Sequence, residues 1–183
     1  MQLRDDARTY GVLSMVNHWV LAFGMIFLLG SGLMIAQILE GDARMPMLWW
    51  HKGLGFLAIF WGVWTVVSHV FQPVRPEADP TYKPFERVAR RAMHWVLIGG
   101  TLVLGISGTM MSLFNGRPID VMGLFTIPGL SEVPWIAGTS AFVHQWVGYL
   151  IVAAVLAHIA AALKHHFVNQ DATLARMMGR QHA

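Results

Sequence analysis

Four stretches almost without charge dominate this sequence and leave it few ways to fold. The first lies between Arg8 and Glu40. The second runs from about Met45 to Phe71, with Lys52 as its only charge. The third lies between Arg91 and Arg117, and the fourth between Glu132 and Lys164. Each exceeds the roughly 20 residues an α-helix needs to cross about 30 Å of hydrocarbon. In that setting a backbone must satisfy its own hydrogen bonds, which leaves helices or a closed barrel. The runs are continuously apolar, whereas barrel strands alternate. All eight prolines (Pro46, Pro73, Pro76, Pro80, Pro84, Pro118, Pro128 and Pro134) fall between the runs or at their edges, where the donor that proline lacks costs least. The expected fold is an all-α membrane protein, a four-transmembrane-helix bundle. Its helices are expected near 11–39, 47–71, 85–114 and 135–167, within a single domain over 1–183.

Composition agrees. Charged residues make up 13% of the chain, about half the roughly 25% of soluble domains, and the mean hydropathy is +0.50. The net charge of +3 would suit nucleic acid only if the cations were clustered on a soluble face. Here they flank apolar runs, so membrane lipid is the expected partner and nucleic acid is not. The absence of cysteine excludes disulfides, iron–sulfur clusters, thiolate-bound haem and the CxxCH attachment of c-type haem. The polar segment Met1–Tyr10 lacks the pattern of a cleavable signal peptide.

Lys and Arg set an expected orientation. One side carries Arg4, Arg8, Arg75, Lys83, Arg87, Arg90, Arg91, Lys164, Arg176 and Arg180. The other carries only Arg44, Lys52 and Arg117. The positive-inside rule then puts both termini in the cytoplasm.

A short internal repeat is visible. His-Trp-Val-Leu occurs at His18–Leu21 and again at His94–Leu97. His-x-x-x-Gly occurs at His51–Gly55 and at His144–Gly148. The pattern suggests a duplicated helical hairpin.

The histidines carry the chemistry. His18, His51, His94, His144 and His158 all fall inside the apolar runs, where a polar side chain is costly and marks function. Imidazole is a good axial ligand for haem iron, and a b-type haem in a bundle needs one histidine from each of two helices at one depth. His51 and His144 lie level near the outer side, and His18 and His158 nearly level near the inner side. His144 and His158 are fourteen residues apart, about 21 Å along an axis and about 40° apart around it, so the fourth helix can present two ligands on one face. Small residues follow: Gly53 and Gly55 after His51, Gly148 after His144, and alanines around His158. They leave room for a flat macrocycle, or simply for close helix packing.

Interhelical hydrogen bonding explains one buried histidine better than five at paired depths. Zinc or copper ligands would cluster more tightly and include carboxylate or cysteine. His94 stays open: the repeat makes it the partner of His18, whereas the spacing on the fourth helix gives that place to His158. Trp19, Trp50, Trp95 and Trp146 fit an interfacial aromatic belt. His69 is placed at the inner end of the second helix, and His182 in the tail.

These residues resemble the bacterial cytochrome b561 family and, within it, the superoxide oxidases. The likeness is carried by His144-x-x-x-Gly148-Tyr149, His158, Ala161-Ala162-Leu163-Lys164-His165-His166 and Asp171-x-Thr173-Leu174-x-Arg176-Met177-Met178. His18-Trp19 and His51-x-x-Gly in the first two helices add to it, and Gly123–Pro128 more loosely. The resemblance implies two non-covalent haem b groups with bis-histidine ligation, pairing His18 with His158 and His51 with His144. It thereby turns His94 from an axial ligand into a contact to haem or quinone. It also implies ubiquinone as electron acceptor near His165, with a lysine of the cytoplasmic loop, for which Lys83 is the available residue. The implied activity is oxidation of superoxide on the periplasmic side of the bacterial inner membrane with reduction of ubiquinone. Lys52 and Arg117 would attract the anion. The alternative is a cytochrome b relay linking a partner dehydrogenase, or a soluble periplasmic donor, to the quinone pool.

Overall fold

The computed structural model describes residues 2–7, 9–71, 76 and 82–179. Arg8, Arg75, Arg180, His182, Pro73 and Pro80, used in the sequence reading, lie outside them. Four long helices form the body: α1 Val12–Gln37, α2 Gly41–Phe71, α3 Pro84–Leu113 and α4 Pro134–Phe167. All four are long and apolar enough to cross a membrane. Large apolar side chains such as Phe23, Phe60, Trp64, Phe142 and Leu156 face outward, as lipid rather than water requires.

The helix ends follow local chemistry. Pro84 and Pro134 open α3 and α4 at a first turn that has no use for their missing N–H. Lys83 precedes α3, and its backbone N–H donates to Glu86 Oε2 at 2.9 Å. α2 departs from expectation: it begins at Gly41, six residues early, and carries Pro46 inside it. At the sixth position the proline removes one bond, to the carbonyl a turn earlier, close to an end whose first donors are unpaired anyway.

α3 packs against both α2 and α4, and α1 packs against α2. Glycines set the close approaches. A Cβ at Gly105 would lie 2.5 Å from Ile59 Cγ1 and 3.3 Å from the Gly55 carbonyl, and one at Gly62 would lie 2.8 Å from Leu102 Cδ2. The α2–α3 seam is thus filled by backbone and aliphatic side chains. Buried hydroxyls within the helices bond their own chain: Thr65 to the Trp61 carbonyl, Thr101 to Leu97 and Ser107 to Val103.

Two smaller elements close the ends. The loop before α4 holds an antiparallel hairpin, β1 Ile119–Val121 with β2 Phe125–Ile127, register Val121↔Phe125. The all-α expectation did not include it. Met122 and Gly123 both have positive φ, 56° and 73°, as a type I′ turn needs. Ile119 and Val121 are buried, and the hairpin backbone rests on Gly53, where a Cβ would lie 3.0 Å from the Asp120 carbonyl. Gly53 therefore makes room for the hairpin and not for a macrocycle. At the other end the chain turns back after α4. The short helix α5 Thr173–Met177 is tied to α1 by Trp19 Nε1, which donates to the Met177 carbonyl at 2.9 Å.

Candidate functional site

The bundle brings the intramembrane histidines together in two places. His51 of α2 faces His144 of α4 with ring centroids 6.1 Å apart. His18 of α1 faces His158 of α4 at 6.3 Å. Two imidazoles bonded to opposite faces of one metal, at about 2.0–2.1 Å per bond, put their centroids roughly 6.3 Å apart. Both pairs fit that separation. Among the described residues there is no group of three or more His, Cys, Asp or Glu side chains able to hold a bare metal ion.

The His51–His144 pair is held by hydrogen bonds to the helix before each ring. Ser31 Oγ donates to the Leu28 carbonyl at 3.1 Å and lies 2.9 Å from His51 Nδ1. With its proton on Leu28, the hydroxyl accepts, so Nδ1 of His51 carries the hydrogen. The Leu28 carbonyl also reaches the same ring. On the other side His144 Nδ1 donates to the Leu104 carbonyl at 2.9 Å and approaches Ser107 Oγ at 3.3 Å. Each ring thus has Nε2 as its lone-pair nitrogen, free to ligate. Glycines admit the rings: a Cβ at Gly32 would lie 3.2 Å from His51 Cε1, and one at Gly108 2.9 Å from His144 Cε1.

These contacts extend the internal repeat. Leu-x-x-Ser-Gly follows His18 at Leu28–Gly32 and follows His94 at Leu104–Gly108, ten to fourteen residues on in both cases. Ser31 and Ser107 lie beyond the repeated His-Trp-Val-Leu, and only the rings of the neighbouring helices distinguish them from ordinary helix serines. The repeat also explains His94. Fourteen residues after His144 comes His158, but fourteen after His51 comes Thr65. Thr65 bonds Asn17 at 3.3 Å and the Trp61 carbonyl. The α2–α3 counterpart of the His18–His158 pair therefore lacks its second histidine, and glycine packing closes that seam. His94 instead approaches His158 with centroids 5.4 Å apart, too close for two imidazoles on opposite faces of one metal.

The family can be read from the whole chain. The sequence profile described as Prokaryotic cytochrome b561 matches residues 9–180. The chain belongs to the prokaryotic cytochrome b561 family. Among curated relatives, Cytochrome b561 homolog 2 of Escherichia coli (strain K12) is 34% identical over 185 residues, covering 98% of this chain and 96% of the relative. Cytochrome b561 homolog 1 of the same organism is 30% identical over 119 residues, 63% of this chain and 65% of the relative. Family membership makes this a multi-pass membrane protein of electron transfer, and it implies b-type haem.

The remaining expected site residues fall at the two ends of the bundle. His165, implied above as the residue near ubiquinone, lies in the last turn of α4. It is buried, at 8% exposure. Its ring stacks on Tyr82, with centroids 4.4 Å apart, and its Nδ1 lies 2.5 Å from Asp171 Oδ2. Asp171 also accepts from the Thr173 N–H, and Thr173 Oγ1 pairs with the Tyr82 hydroxyl. The folded-back tail is the reason for this burial, and a helix-by-helix reading cannot anticipate it. Lys83 is exposed and adjoins Tyr82 in the chain, while Lys164 pairs with Glu86 at 3.4 Å. At the hairpin end of the bundle Lys52 Nζ donates to the Pro118 carbonyl, and Arg117 is near enough for the two charges to interact. His69 rests edge-on against Trp95.

Proposed function

We propose that this protein is a dihaem b-type cytochrome of the bacterial inner membrane, a superoxide oxidase with ubiquinone as acceptor, built as one domain with both termini cytoplasmic. The observation that carries the reading is the presence of two facing histidine pairs at 6.1 and 6.3 Å. They lie on helices that hold His144 and His158 about 21 Å apart. His51 and His144 would hold the outer haem, and His18 and His158 the inner one, each through Nε2. When bound, haem supplies a one-electron ferric/ferrous couple. His94 would contact the inner group from the side without ligating it.

The balanced reaction joins two superoxide anions, one ubiquinone and two protons to give two dioxygen molecules and ubiquinol. Lys52 and Arg117 offer the positive potential that raises encounter with a small anion. His165 would hydrogen-bond a quinone carbonyl through the ring nitrogen not engaged by Asp171, and Lys83 would offer a cation beside Tyr82.

One observation favours the alternative, a relay serving a partner dehydrogenase or a soluble donor. Lys52 spends a donor on Pro118, so part of the attracting charge also serves loop structure. Stopped-flow mixing of the purified holo-protein with superoxide decides between them. Haem reduction within the mixing phase, followed by reoxidation on adding ubiquinone, is expected. Superoxide decay no faster than spontaneous dismutation would leave the relay reading.

A further inference from the structure

The two histidine pairs are held differently, and the difference lies in residues outside the ligand set. On the preceding helix His51 Nδ1 meets the Ser31 hydroxyl at 2.9 Å, with the Leu28 carbonyl close to the same ring, and His144 Nδ1 gives its hydrogen to the Leu104 carbonyl at 2.9 Å with the Ser107 hydroxyl at 3.3 Å. Both serines are buried, at 4% and 6% exposure. In each case the next residue is the glycine whose missing Cβ admits the ring. The unit occurs twice, on α1 and α3, at the same distance from the repeated histidine. Among the described residues no hydrogen bond holds the side chain of His18 or His158.

We propose that Leu28–Gly32 and Leu104–Gly108 are duplicated clips in which Ser31 and Ser107 are positioning residues that set the redox potential of the outer haem. This rests on the dihaem reading. A clip acts in two ways. It fixes the tautomer, so that Nε2 presents a lone pair without a rearrangement on ligation. By accepting the Nδ1 proton it also makes the imidazole a stronger electron donor. A stronger donor favours the ferric state, so the clips lower the potential of the haem they serve. Each serine can act as acceptor because its own proton is taken up by a helix carbonyl: Leu28 for Ser31 and Val103, at 2.6 Å, for Ser107. Both clips act on one metal from opposite sides, so their effects add at that site and bypass the inner one.

The test is an optical redox titration of the purified holo-protein, in which two waves are resolved and the outer one is assigned by its loss in His144→Ala. Ser31→Ala with Ser107→Ala should raise the outer midpoint. The ferric-to-ferrous ratio at fixed ambient potential should change roughly tenfold, about 59 mV for a one-electron couple. Each single variant should give a part of that, and the inner wave should stay in place. Loss of the outer haem alone from the double variant would support the clip in a stronger form. An outer wave that does not move, or equal movement or loss of both haems, would overturn it. If the unmodified protein holds one haem by pyridine haemochrome assay, the dihaem reading fails first, and that result is distinct from a failure of the clip.

Discussion

The His51–His144 and His18–His158 pairs, proposed as outer and inner, have nearly the same ring separation but different surroundings. The outer pair sits under a hairpin, each ring pressed by a glycine position and tied to a carbonyl and a hydroxyl. The inner pair has a third histidine beside it and a tail helix below it. The contrast teaches that one face of α4 can carry two chemically distinct sites. Residue type and spacing along α4 are shared, and the neighbouring helices supply the difference.

The largest test of that contrast removes ligands. His51→Ala or His144→Ala should leave one haem per chain by pyridine haemochrome assay, and His18→Ala or His158→Ala should leave the other, with a distinct reduced spectrum. His94→Ala should keep both. A haem lost from His94→Ala but retained in His158→Ala would reassign the inner pair.

Next in size is Gly108→Ala. The new Cβ would lie 2.9 Å from His144 Cε1, so the ring must leave its clip. Reduced outer haem occupancy is expected, with the inner haem unchanged. Gly32→Ala, at 3.2 Å, should do the same more weakly, and a reversed order would argue against ring crowding as the cause.

Gly105→Ala probes the glycine-packed seam between α2 and α3. Its Cβ would meet Ile59 at 2.5 Å and the Gly55 carbonyl at 3.3 Å. Overpacking of this kind costs about 1–3 kcal/mol, to be read as a lowered thermal midpoint in detergent with both haems initially bound.

At the inner end, Asp171→Asn weakens the acceptor for His165 Nδ1. A several-fold slower reduction of ubiquinone with an unchanged rate of haem reduction by superoxide is expected in stopped flow. Equal slowing of both phases would place Asp171 in the fold rather than at the quinone. The smallest effect belongs to Lys52→Met. The rate with superoxide should fall by a few fold and lose part of its ionic-strength dependence, because exposed charges are screened beyond about 10 Å at 0.1 M salt. An unaltered salt slope would remove Lys52 from the reaction.

The sequence by itself determined the four spans, because the cost of charge in hydrocarbon is felt residue by residue and is written in the gaps between Arg8, Glu40, Arg91, Arg117, Glu132 and Lys164. Three helices begin and end within two residues of the expected bounds. It also determined that His144 and His158 share a face, since helix geometry is local. Half of the repeat was legible, as His-Trp-Val-Leu, but Ser31 and Ser107 read as ordinary helix serines until the rings of other helices were seen beside them.

Helix depth already pointed to the pairs His51–His144 and His18–His158, but only tertiary structure decided how closely the rings face and where His94 goes, because that depends on how four helices are arranged around one another. It set His94 against His158 at 5.4 Å and His18 at 6.3 Å. It also buried His165 beneath a returning tail, and it placed a hairpin on Gly53. Those outcomes rest on contacts between residues as far apart as Trp19 and Met177. No periodicity encodes such contacts, and each forms only when packing elsewhere has brought its partners together.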